Sequence, residues 1–171
     1  MFAGWENFYL MIGSAAAGLI GLLFVVATLT GGLGAHKAEI GARVYLTPTV
    51  SHFAVILAAS AITAAPRLNP WVTAGLLTGA GLWGLAYSAN VARMLHLRKG
   101  TTVPHWTDFW CYGCLPGVLY LAQITAAGAL AMSIFWGQDA LAAALMALLL
   151  LTIRNAWDLV TAIAPVAAAK P

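Results

Sequence analysis

The stretch Phe8–Leu29, FYLMIGSAAAGLIGLLFVVATL, decides the fold. It contains no charged residue and no proline. Its length matches the roughly 20 apolar residues that a helix needs to cross the hydrocarbon core of a bilayer. A secretory signal has a shorter apolar core, roughly 7–15 residues, behind a basic segment, whereas the first charge here is Glu6. The stretch therefore reads as a retained transmembrane helix. Its small residues Gly13 to Ala17 read as a packing face rather than a cleavage site.

The same pattern recurs along the chain. Apolar runs are expected to span the membrane at Phe8–Leu29, Val44–Ala65, Trp71–Leu97, Phe109–Phe135 and Leu141–Ala164. The gaps hold breakers or charge: Gly31 to Gly34, then Pro66 to Pro70, Arg98 to Gly100, and Gly137 to Asp139. Alanine and leucine dominate, and the alternating pattern of a lipid-facing barrel strand is missing. The expected fold is all-α, a polytopic bundle of five transmembrane helices forming a single domain over residues 1–171.

Composition agrees. The chain is 62% hydrophobic and 8% charged, with mean hydropathy +0.88, whereas a soluble domain carries about 25% charged residues. Lipid is the solvent for most of this surface, and the length allows five helices and little else. The net charge of +3 comes from basic residues spread over short loops, which is the orientation charge of a membrane protein rather than a nucleic-acid surface. Lys37, Arg43, Arg93, Arg98, Lys99 and Lys170 fall on one side and Arg67 on the other, a six-to-one bias. The expected topology in a bacterial inner membrane has the amino terminus outside and the carboxyl terminus in the cytoplasm. Trp5, Trp71, Trp106, Trp110 and Trp136 fall near the expected span ends as an aromatic belt.

Small residues spaced four apart offer close helix contacts in lipid: Gly13, Ala17 and Gly21; Gly75 and Gly79; Gly113 and Gly117. They suit packing within one chain, or between copies in a homo-oligomer or larger membrane complex.

Polar groups gather toward one side, where all four histidines also map. Arg154, Asn155 and Asp158 interrupt an otherwise apolar last helix, with Arg154 and Asp158 four apart on one face. Each charge alone at a helix centre costs about 2.5–3.5 kcal/mol on insertion scales. They mark either a ligand, ion or proton site or a pair that neutralises itself while Arg154 snorkels outward. His52 lies one turn after Pro48, which frees a backbone carbonyl and is expected to kink the helix. That histidine suits ligation or proton relay, or a plain hydrogen bond in the bundle. Glu6, expected on the far side of the membrane, suits the amino-terminal end of the first helix.

Cys111-Tyr112-Gly113-Cys114 is a CxxC with His105 upstream. Structural zinc needs four ligands, and a redox CxxC ordinarily opens a helix in a βαβ unit, so two reduced thiols without a role are the plainer reading. A weaker metal set is His52, His96, His105, Cys111 and Cys114, with His52 and His96 as axial ligands to a haem. No nucleophile–base–orienter set, phosphate loop or zinc-protease helix can be assembled, so the pattern specifies no catalytic residue and no cofactor.

Three motifs carry a resemblance. Trp5-Glu6-Asn7-Phe8-Tyr9 leading to Gly21-Leu22-Leu23-Phe24-Val25, Thr47-Pro48-Thr49-Val50-Ser51-His52-Phe53, and Asn155-Ala156-Trp157-Asp158-Leu159-Val160-Thr161 resemble a group of uncharacterised bacterial five-helix integral membrane proteins. The resemblance covers most of the chain and implies the same architecture, with no activity to carry over. In that group His often stands where this chain has Arg154, and arginine is not a metal ligand in the usual sense.

The resulting expectation is a small protein of the lipid bilayer with a polar site in the cytoplasmic half of the bundle. His52, Arg154, Asn155 and Asp158 would bind or translocate a small ligand, ion or proton. The alternatives are a membrane redox or metal/haem enzyme using His52 and His96, and a scaffold subunit of a larger complex.

Overall fold

The computed structural model describes residues 2, 4–30, 46–66, 68–97, 107 and 109–168. Arg67, Arg98, Lys99, His105, Trp106, Asp108, Lys170 and the whole Gly31–Tyr45 connection lie outside the described residues. Among the described residues five α-helices follow one another: α1 (Glu6–Thr30), α2 (Thr47–Ala64), α3 (Pro70–Leu97), α4 (Leu115–Ala131) and α5 (Gly137–Ala168). A π-helical turn, Phe109–Cys114, leads into α4. No strand occurs among the described residues. The fold is an all-α membrane helical bundle.

Among the described residues four segments are long and apolar enough to cross a membrane: Glu6–Thr28, Thr47–Ala64, Phe109–Ala131 and Gly137–Thr161. The other helix, α3, is diluted by glycine and by Thr73, Thr78, Ser88 and Asn90, yet it lies alongside α4 over the same height. The Gln123 side chain donates to the Leu77 carbonyl at 2.9 Å. Further along, Gly81 faces Ile124, Gly84 faces Tyr120, and Ala92 faces Gly113. Those pairs descend on α4 as they ascend on α3, so the two helices are antiparallel neighbours occupying one slab.

Local chemistry sets the helix ends. Pro48 does not kink α2. It sits in the first turn, where its missing N–H is one of the four that have no intrahelical partner anyway. The Asn69 side chain caps α3 by accepting the Trp71 N–H at 2.9 Å, with Pro70 at the first helical position. The fourth span was expected to run to Phe135, but α4 stops at Ala131. There the Ile134 N–H reaches the Ala129 carbonyl and the Ser133 N–H the Leu130 carbonyl, a Schellman closure with Ser133 at φ 57° in the left-handed position. The turn is followed at once by Gly137, which starts α5 against the Leu130 backbone. Hydropathy missed the break because Met132, Ile134 and Phe135 are themselves apolar.

The interior falls into three tiers. Tyr9, Leu77, Ala126, Leu130, Leu141 and Leu145 pack at the end holding the amino termini of α1 and α5. Ile12, Phe53, Ile56, Tyr120 and Leu148 fill the middle. Val91, Leu95 and Tyr112 close the opposite end. Lipid is as apolar as these side chains, so contact density and close backbone approach, rather than escape from water, hold the helices together.

The small-residue faces are only partly those expected. Gly13 does pack, since a Cβ there would lie 2.9 Å from Ser60 Cβ, and one on Gly113 would lie 2.8 Å from Ala92 Cβ. Ala17, Gly21, Gly75 and Gly79 are exposed, and added Cβ atoms at these three glycines would meet nothing. The packing stripe of α3 is Gly81, Gly84 and Ser88, all buried.

Candidate functional site

Two polar clusters occupy the bundle. The interior one joins α2 to α4: His52 Nδ1 and the Tyr120 hydroxyl share a 2.7 Å hydrogen bond, with ring centroids 5.6 Å apart. His52 is 1% exposed and Tyr120 0%. Gly84 makes the contact feasible, because a Cβ at that position would fall inside the Tyr120 ring. When the tyrosine donates to Nδ1, the opposite ring nitrogen carries a hydrogen; when Nδ1 donates, that nitrogen offers a lone pair. Either way His52 Nε2 is buried without a partner, and so is Ser88 Oγ. Groups of this kind cost several kcal/mol when left dry in an apolar interior, and buried polar atoms left over from protein hydrogen bonding are where internal water or a ligand binds.

The second cluster lies where α5 meets the π-helical turn. In a π turn the carbonyl of residue i looks to the N–H of residue i+5. For Cys111 that residue is Pro116, which has none. The Asn155 side chain takes its place, donating to the Cys111 carbonyl at 2.9 Å, while the Tyr112 hydroxyl donates to the Asn155 carbonyl at 2.8 Å. Arg154 Nη1 donates to Asn155 Oδ1 at 3.2 Å, and Arg154 Nη2 pairs with Asp158 Oδ2 at 2.8 Å. Asn155 is fully buried. Arg154 and Asp158 are each 41% exposed, the geometry of a pair neutralised along its own helix.

The expected site residues are therefore brought together in part. Arg154, Asn155 and Asp158 form one network, whereas His52 belongs to the other cluster. Tyr120 stands eight residues beyond Tyr112, past the end of the π-helical turn and into α4, on the order of 10 Å along the axis. Three fully buried hydroxyl residues occupy the intermediate heights: Thr152 on α5, Ser88 on α3 and Thr49 on α2. The Thr152 hydroxyl donates to the Leu148 carbonyl at 2.6 Å. Farther from the charged cluster, Gln123 Oε1, Ser60 Oγ and Tyr9 Oη are also buried without partners.

The residues of the metal alternative are scattered. His52 is level with Gly84, and His96 stands twelve residues farther along α3, about 18 Å away along the helix axis. His96 instead lies against the Phe109 ring, centroids 6.4 Å apart. Cys111 and Cys114 are free and half-buried, and His105 is outside the described residues. Among the described residues no group of three or more His, Cys, Asp or Glu side chains gathers. Glu6 is exposed and accepts the Gly4 N–H at 2.8 Å, serving the lead-in to α1.

No protein-family model, curated protein or solved structure matches the chain.

Sequence reading picked out His52, Arg154, Asn155 and Cys111 but gave no role to Tyr120 or Tyr112. Tyr120 and Gln123 are polar residues three apart in an apolar span, and Gly84 and Ser88 are small residues four apart. Together those two spacings are the signal that would have singled out the α3–α4 seam.

Proposed function

We propose that this membrane protein binds and passes protons, or a small ligand of similar hydrogen-bonding chemistry, through the polar interior of its bundle. His52 and Tyr120 are the exchanging pair. Arg154, Asn155 and Asp158 form the mouth, and Thr152, Ser88 and Thr49 line the way between. The topology read from the loop charges puts that mouth on the cytoplasmic side of a bacterial inner membrane. The observation that carries the reading is a histidine buried near mid-bundle with one ring nitrogen bonded to a tyrosine and the other unpartnered. A side chain that can take up a proton on one nitrogen and release one from the other is suited to relay.

The test uses the purified full chain in liposomes loaded with a pH-sensitive dye, driven by a potassium diffusion potential. Wild-type protein is expected to acidify the lumen faster than protein-free vesicles, and His52→Gln to lose most of that flux while remaining folded by circular dichroism and gel filtration. Flux equal to protein-free vesicles, or undiminished in His52→Gln, defeats the proposal.

A further inference from the structure

A groove of about 390 Å³ opens beside the carboxyl-terminal end of α3, lined by Ala92, Arg93, His96, Leu97 and Phe109. It is separate from both polar clusters and independent of the proton reading. Its walls are mostly apolar, formed by Ala92, Leu97 and the Phe109 ring. Its polar groups are two nitrogen side chains three residues apart, on one face of the helix. Among the described residues no carboxylate lines the groove and Arg93 has no ion-pair partner. Trp110, 43% exposed next to Phe109, sits at the level where aromatic side chains mark the membrane–water boundary.

The geometry points to a binding site for an anionic glycerophospholipid of the surrounding leaflet, its phosphodiester held by Arg93 and His96 and one acyl chain laid over Phe109, Ala92 and Leu97. Three features favour a lipid over a soluble anion. Arg93 and His96 stand at the end of a helix that lies in the bilayer slab. The groove floor is apolar and continuous with the lipid-facing surface, where Leu97 is 82% exposed. The guanidinium matches a phosphate in a planar, two-pronged way that a zwitterionic headgroup, with its own ammonium, offsets. Basic pockets between helix ends at this depth have the chemistry that selects acidic headgroups.

The experiment uses the full chain in detergent, supplied in turn with phosphatidylglycerol, phosphatidylcholine and inorganic phosphate, with thermal unfolding and native mass spectrometry as readouts. Phosphatidylglycerol should raise the midpoint above phosphatidylcholine and stay bound in the gas phase, with a preference of about fivefold from the Arg93 contact. Arg93→Gln with His96→Gln should erase that preference while leaving the midpoint in phosphatidylcholine at the wild-type value. Should the paired substitution lower that midpoint too, Leu97→Ser, on an exposed side chain, is the second variant, and it should weaken retention of phosphatidylglycerol without a change in fold. Equal response to the two lipids, or a preference that survives both sets of substitutions, overturns the site. A midpoint rise with inorganic phosphate as large as with phosphatidylglycerol also overturns it, in favour of a soluble anion.

Discussion

The two polar clusters of the bundle obey opposite rules. The one at Arg154 and Asp158 holds full charges, yet each partner is 41% exposed and satisfied within its own helix. The one at His52 and Tyr120 holds no carboxylate, lysine or arginine, yet it is closed to the outside and leaves donor or acceptor capacity unused. Formal charge therefore marks the rim, and the unmatched neutral groups mark the interior. In a membrane protein the expensive group is the one with no partner, whatever its charge.

The sharpest way to break this contrast is at Gly84. Gly84→Leu drives a side chain into the space held by the Tyr120 ring, so it should destabilise the protein by about 3 kcal/mol and separate Tyr120 from His52. Unfolding in a titration of sodium dodecyl sulfate, followed by tryptophan fluorescence, measures the loss. A variant as stable as wild type would mean that the α3–α4 seam is looser than described. A subtler change is Tyr120→Phe, which keeps the ring and removes the hydroxyl. It leaves His52 Nδ1 as bare as Nε2, at about 1–2 kcal/mol; no measurable change would show that water already serves that nitrogen. The smallest effect belongs to the charged cluster. Arg154→Gln and Asp158→Asn should each cost about 0.5 kcal/mol or less, the range of half-exposed pairs one turn apart. A loss several times larger in either variant, restored in the double substitution, would place the pair among truly buried ones and erase the distinction between the clusters.

Much of the fold was legible because lipid imposes a coarse requirement. A run such as Phe8–Leu29 has few alternatives to a helix when every backbone group must be satisfied internally. The rotational phase of each helix was not legible. Gly75 and Gly79 satisfy the small-residue spacing as well as Gly81 and Gly84 do, and apolar solvent penalises neither orientation, so the spacing predicts a face without saying which way it turns. Helix ends made of apolar residues, as at Met132 to Phe135, were hidden for a similar reason, since their turn is closed by backbone hydrogen bonds and a serine in a conformation that glycine usually fills. The candidate site was half visible. Asn155 and His52 stand out as polar residues in spans. What they bond to depends on the π turn before Pro116 and on Gly84 lying opposite Tyr120, and both are facts of three-dimensional register.

The charges that bound α5 also carry a message for the membrane itself. Asp139 lies in the first turn of that helix and Arg154 is the next charge along it. The stretch between them is only about 22 Å long at 1.5 Å per residue, against about 30 Å of hydrocarbon in an ordinary bilayer. The two charges thus act as a ruler set short of the bilayer's thickness. The arginine stem takes up the difference by reaching outward, and the apolar residues past Asp158 carry the span on to Thr161. A charge set short of the end of its span can in this way keep its hold on the headgroups while the helix continues past it.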